Sequence, residues 1–267
     1  MTQTAPAVQV FALRYATVER RASDTFLVWR GPDQPVRLDF FFWAIRVGEQ
    51  AIVADTGFSP YSSDKRRRPY LHTPADLLRR IGIAPEQVED VILTHLHYDH
   101  VGNLDAFPKA TFHVQARELA AATGPDMSHH LLREHYEGED VAALVQLVHQ
   151  GRVRFHDGTG QVAPGVRVHL APGHTAGLQA VEVATPAGPL VIASDAVHYY
   201  ANAEQENPFP ALVDVAGELD TYRRLTALAG GLDRLVPSHD PEVLMRFAAH
   251  PEAGSDVVCL HAPRQRT

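Results

Sequence analysis

A short apolar run, Val91–Leu93, leads without interruption into Thr94-His95-Leu96-His97-Tyr98-Asp99-His100, and few architectures accommodate such a segment. Alternate residues of an extended or turning chain point the same way, so His95 and His97 can grip one ion together. Asp99 and His100 are then turned toward a neighbouring position. Imidazole nitrogens and a carboxylate suit zinc, and also iron, manganese or cobalt. A lone His-x-His is weak, because a core or surface histidine explains it equally well. His-x-His-x-Asp-His directly behind a buried β run is a strong metal signal.

Further ligand-type residues recur at the ends of other expected strands. Val166–Leu170 leads to His174, Leu190–Ala193 to Asp195, and Leu235–Val236 to His239. Strands buried in a sheet hold their ends rigidly, and the loops leaving them carry polar groups to one rim. Earlier β-prone runs are Val8–Leu13 and Thr25–Arg30, and Phe40–Val47 with Gln50–Asp55 reads as a hairpin about Gly48-Glu49. Thr111–Val114 is a further expected strand. Thr73–Arg80 reads as a helix, with Thr73 as cap, Pro74 in the first turn and Gly82 where helices commonly end. Arg117–Ala122, Val141–His149 and Val215–Ala229 are the other expected helices. Residues 123–140 fit no single period and are expected to form a surface excursion near the site.

The 267 residues, 45% hydrophobic and 21% charged, suit one globular domain over residues 1–267. A net charge of -8 offers no general attraction for nucleic acid or an anionic membrane. The basic run Lys65-Arg66-Arg67-Arg68 is expected to be a solvated loop. The single cysteine, Cys259, is expected to be a bystander. With no export-type start and no apolar stretch long enough to span a bilayer, a cytoplasmic location is expected. His129, His130 and His135 are expected to be solvated loop histidines. The run Phe40-Phe41-Phe42-Trp43 is expected to pack a core rather than a substrate.

From the hairpin to Ser238-His239-Asp240 the chain resembles the metallo-β-lactamase superfamily. The segments carrying the likeness are Val53-Ala54-Asp55-Thr56-Gly57, the His95–His100 cluster, Ala171-Pro172-Gly173-His174-Thr175, Ser194-Asp195-Ala196 and Pro237-Ser238-His239-Asp240. The resemblance implies an α/β fold, an αββα sandwich of two mixed β-sheets flanked by helices. It implies two divalent metal ions, zinc first among them. One would take His95, His97 and His174, the other Asp99, His100 and His239, with Asp195 bridging both. Asp55 would support a ligand histidine from behind, or cap the Asp-Thr-Gly turn.

A water shared by two such cations becomes hydroxide near neutral pH and attacks an ester-like carbonyl. Asp99 would orient it and pass a proton to the leaving oxygen. The whole constellation is similar to that of N-acyl-homoserine lactonases, which implies a small lactone substrate and a possible homodimer. Those lactonases commonly carry a tyrosine three residues after the bridging aspartate. Here that position is His198, followed by Tyr199, and either side chain is a candidate donor to the developing oxyanion. The alternatives are another ester or thioester hydrolase of the same fold, or an inactive binding module, which metal content would distinguish.

Overall fold

The computed structural model describes residues 8–263. Its strands are β1 (Val8–Arg21), β2 (Pro35–Val47), β3 (Gln50–Ala54), β4 (Asp90–Ile92), β5 (Thr111–Gln115), β6 (Val153–His156), β7 (Thr159–Ala163), β8 (Val166–Leu170), β9 (Gln179–Thr185), β10 (Gly188–Ser194), β11 (Leu235–Pro237), β12 (Phe247–His250) and β13 (Gly254–Pro263). The α-helices are α1 (Pro60–Arg66), α2 (Pro74–Arg80), α3 (Tyr98–Val101), α4 (Ala116–Ala122), α5 (His130–Arg133), α6 (Gly138–His149), α7 (Tyr200–Glu204), α8 (Val215–Ala229) and α9 (Val243–Arg246).

Two mixed sheets form the centre. One has eight strands in the order β12-β13-β1-β2-β3-β4-β5-β6, the other five in the order β11-β10-β9-β8-β7. The period-2 alternation of side chains explains why they stack. Along β2, Phe41, Trp43 and Ile45 face one way and meet Val166, Val168, Val181, Val183 and Ile192 of the second sheet. Phe40, Phe42 and Ala44 face the other way, into a layer with Leu77, Leu78, Leu144 and Leu147 of α2 and α6. On the far side of the second sheet, Val191 and Ala193 pack on Tyr222 and Leu225 of α8. The layers are therefore helix, sheet, sheet, helix. Each fully buried side chain of Phe or Leu size contributes about 1.5–3 kcal/mol, so the aromatic run of β2, buried on both faces, is core.

Local signals set the helix ends. The Thr73 hydroxyl accepts from Asp76 N at 3.2 Å to start α2, with Pro74 in its first turn. The Asp214 carboxylate does the same for α8 through Gly217 N at 3.1 Å. That helix stops at Gly230, whose φ of 75° is the left-handed conformation glycine adopts freely.

One expected strand is absent. Thr25–Arg30 follows a short turn at Ala22–Asp24 and makes no ladder. Its backbone is held by a loop instead: Leu27 N donates to Pro208 O at 2.6 Å, and Asn202 Nδ2 donates to Thr25 O at 2.9 Å. Gly31, Pro32 and Pro35 follow it and break any continuing strand. Conversely β1 runs well past Leu13, paired with β2 to Arg21↔Pro35 through an irregularity between Arg14 and Ala16. Among the described residues no helix is long and apolar enough to cross a membrane.

Candidate metal centre

Five chain segments leaving strand ends meet at one rim of the sandwich. Beyond β3, Asp55 takes a left-handed φ of 64° and turns its buried carboxylate onto the segment after β4. There it accepts from Thr94 N at 2.7 Å and from the Thr94 hydroxyl at 2.8 Å, and it lies 2.7 Å from His100 Nδ1. His100 Nε2 is thereby aimed inward, 3.1 Å from Asp195 Oδ1. His174, on the loop after β8, is fixed by its Nδ1 on the Ala211 carbonyl at 2.5 Å. Its Nε2 then lies 2.9 Å from His97 Nδ1 and 3.4 Å from Asp195 Oδ2. His239, beyond β11, donates from Nδ1 to the Asp39 carbonyl at 2.8 Å and points Nε2 at Asp195 Oδ1, 3.2 Å away. His95 Nε2 stands 3.9 Å from Asp195 Oδ2, and Asp99 Oδ2 stands 3.8 Å from His239 Nε2.

The structure thus brings together all of His95, His97, Asp99, His100, His174, Asp195 and His239, every one of them buried. Their donor atoms fall into overlapping sets, among them His95-His97-His174 and Asp99-His100-His239, each within 4.8 Å. The fit to divalent cations rests on more than proximity. His100 Nε2 and Asp195 Oδ1 approach to 3.1 Å, yet neither atom has a hydrogen-bond partner, and nor does His95 Nε2. Buried polar atoms left unpaired are costly, and atoms crowded together without bonding one another are placed to share a third body. The donor chemistry, nitrogen and carboxylate oxygen without thiolate, is that of zinc and its first-row neighbours.

Electrostatics point the same way. Burial, reinforced by neighbouring imidazoles, pushes His95 and His97 well below the usual histidine range, and burial takes His174 down to about 3. Neutral imidazole is the ligating form. His100 is the exception. Burial opposes its charge, but Asp195, Asp55 and Asp99 outweigh burial and hold it well above the ordinary value. Burial pushes the Asp195 carboxyl upward, but the His100, His239 and His198 imidazoles outweigh it and hold it well below the usual carboxylate range.

Two buried glutamates that no sequence pattern marks stand behind these loops. Glu118 of α4 accepts from Leu96 N at 3.0 Å, from the Thr175 hydroxyl at 2.6 Å and from Gly177 N at 3.0 Å. It therefore joins the His95–His97 segment to the His174 loop. Glu218 of α8 accepts from His174 N at 2.9 Å. Burial pushes both carboxyls upward. In the sequence each sits within an ordinary helical stretch, with no spacing to mark it.

Around the mouth, some expectations change. His198 lies in the cluster, its Nε2 3.2 Å from Asp195 Oδ2. Tyr199 lies outside these donor sets, and its hydroxyl donates to the Arg37 carbonyl at 3.2 Å. Lys65–Arg68 is not a solvated loop. Lys65 and Arg66 bond Glu137, Arg66 lies 3.8 Å over the Tyr98 ring, and Arg68 donates to the Tyr98 hydroxyl. The run clamps the 123–140 excursion to the helix that follows His97. Within that excursion His129 and His130 are exposed, but His135 is half-buried with its ring 5.3 Å from that of His97. Phe40 stays in the core and meets the His239 ring edge-on at 5.2 Å.

Comparison with known proteins agrees with this geometry. The family model of the metallo-beta-lactamase superfamily matches residues 41–239. An N-acyl homoserine lactonase of Bacillus thuringiensis is 33% identical over 151 residues, 56% of this chain and 54% of that protein, so the match spans about half of the relative's length. The N-acyl homoserine lactonase AttM of Azorhizobium caulinodans is 30% identical over 190 residues, covering 65% of this chain and 66% of the relative. Among solved structures, a quorum-quenching N-acyl homoserine lactone lactonase superposes with a TM-score of 0.76 at 25% identity, covering 93% of this chain and 99% of that one.

Proposed function

We propose that this chain, which belongs to the metallo-beta-lactamase superfamily, is a dinuclear metal-dependent hydrolase that opens the ring of an N-acyl homoserine lactone or a related lactone. The reading rests above all on the convergence of seven buried donors, of which His95 Nε2, His100 Nε2 and Asp195 Oδ1 point inward without a hydrogen bond while the outward nitrogens of His100, His174 and His239 are tied down. The names of the relatives support the substrate class.

His95, His97 and His174 would hold one cation and Asp99, His100 and His239 the other, with Asp195 between them. Divalent ions held there lower the pKa of water toward neutrality and draw charge from a carbonyl oxygen. The chain's own groups supply the rest. Asp99 sits in the first turn of α3, with its backbone carbonyl fixed by the Tyr15 hydroxyl at 2.7 Å. Its carboxylate is positioned to orient a water against the carbonyl carbon. It then carries the proton released by that attack to the ring oxygen as the acyl C–O bond breaks, leaving a hydroxy acid. The burial of every donor keeps bulk water from competing. His198 faces this space, with its Nε2 3.2 Å from Asp195 Oδ2.

A hydrolysis panel of lactones, thioesters, β-lactams and phosphodiesters, run on zinc-loaded protein, tests the proposal. Lactone opening should dominate, vanish on chelation and return with divalent metal. Preferred turnover of another class would overturn the substrate assignment. Lactone opening that survives chelation would overturn the metal dependence.

A further inference from the structure

His198 differs from a simple hydrogen-bonding side chain in its surroundings. It is 3% exposed, and its Nε2 lies 3.2 Å from Asp195 Oδ2, the same oxygen that His174 Nε2 approaches to 3.4 Å. His174, Asp195 and His198 form a donor set within 4.8 Å, comparable with the sets that contain the seven ligands. Neighbouring donors bound at about 2.0–2.1 Å to one five-coordinate cation stand roughly 2.9–3.6 Å apart, a range that includes the spacings seen here. The ring is also held as a ligand must be. It lies flat on Phe209, with centroids 4.0 Å apart and planes 2° from parallel. Its backbone carbonyl accepts from His239 N at 3.1 Å, which keys it to another ligand. The stack on Phe209 fixes the plane of the His198 ring, whereas His100, His174 and His239 are fixed by Nδ1 contacts to oxygen. His198 Nδ1 is buried without a partner.

We propose that His198 is an eighth metal-directed donor, placing its Nε2 on the cation that takes His174. The inference rests on the dinuclear reading above and adds a nitrogen to it. A side chain that merely donated to Asp195 would leave the metal's own properties unchanged, whereas a ligand alters them.

The test strips the protein with chelator, reloads it with cobalt(II), and compares wild type with His198→Phe and His198→Ala. Phenylalanine keeps the stack on Phe209 and removes only the nitrogens. Both variants should hold one cobalt at least tenfold more weakly in competition with chelator, and their visible absorption should change in intensity. Imidazole added to the His198→Ala protein should restore the wild-type spectrum. Unchanged cobalt affinity and spectrum in His198→Phe, or no imidazole effect on the alanine variant, would overturn the proposal, as would failure of the wild type to take up cobalt. Loss of the lactone assignment is a separate result. A His198-dependent cobalt spectrum in a protein that opens no lactone would leave this inference standing, and lactone opening with a His198-independent spectrum would remove this inference alone.

Discussion

Glu118→Ala should loosen the metal centre without touching a single ligand. In the native protein one buried carboxylate serves three donors: Leu96 N at 3.0 Å, the Thr175 hydroxyl at 2.6 Å and Gly177 N at 3.0 Å. Alanine would strand all three in a site with no access to solvent. Each unsatisfied buried donor costs about 1–3 kcal/mol. Against this stands the relief of no longer burying a carboxylate whose ionisation burial already disfavours, a penalty of several kcal/mol per ion. The net expectation is a loss of about 3 kcal/mol, measured as the shift in urea midpoint of metal-free protein. Glu118→Gln keeps the shape and one accepting oxygen, but it sets an NH2 group against a donor, so its loss should be about 1–2 kcal/mol. Both variants should release metal to chelator faster than wild type, because Leu96 lies between His95 and His97, and Thr175 follows His174. If the alanine variant unfolds within about 0.5 kcal/mol of wild type and retains metal equally well, the clamp does not exist.

Asp99→Asn should preserve folding yet cut lactone turnover by about a hundredfold or more, read as kcat on metal-loaded protein. Gly177→Ala should fail to close the His174 loop, because a Cβ there would lie 2.2 Å from Glu118 N; circular dichroism and metal uptake would both register the damage. Acid should weaken the fold through His156, which burial and the neighbouring His113 hold down at about 4. Its folded pKa lies below the unfolded value, so the unfolded chain binds the extra proton. Stability is therefore full above about pH 6.5 and falls as pH drops toward 4. His156→Gln should reduce that fall by about 1 kcal/mol once solvent screening is allowed for, as read by denaturation midpoints at pH 7 and pH 4.5.

What the sequence discloses about this molecule depends on whether a residue's chemistry is local. The seven candidate donors are legible because each follows a short buried strand, and a strand end plus a polar residue of metal-binding type is a pattern contained within a few positions. The β2–β3 hairpin and the capped helices α2 and α8 were legible for the same reason, since turn and cap chemistry sit in adjacent residues. Thr25–Arg30 misled because β-propensity says what fits a pleated surface, not whether a partner strand exists. The outcome at Tyr199 likewise turned on a contact 162 positions away, with the Arg37 carbonyl. Glu118 and Glu218 were invisible because their work is done across 22 to 59 residues of chain, and within their own helices they look like solvent-facing charges. The basic run departs from expectation for the same reason: Glu137, which pairs with Lys65 and Arg66, is 71 residues away from Arg66.

The long-range contacts also explain how two separate sheets keep one site in register. The chain leaves β3 at Asp55 with φ of 64° and leaves β10 at Ser194 with φ of 51°, both in the left-handed region that side chains other than glycine seldom occupy. These two residues belong to different sheets, and Thr94 touches both: its hydroxyl lies 2.8 Å from Asp55 Oδ2 and 2.7 Å from Ser194 Oγ. Strained backbone persists only where surrounding contacts over-determine it. Here the strain at each strand end is held by the same buried hydroxyl, immediately before His95 in the chain and one residue away from Asp195 through Ser194. A shift of either sheet relative to the other would have to break that junction before it could separate His95 from Asp195. The candidate donors are thus held by two layers joined at Thr94, at the His239–Asp39 contact and at Gln179, whose Nε2 donates to the Leu93 and His113 carbonyls, with Asp99 and His100 carried on the short helix α3.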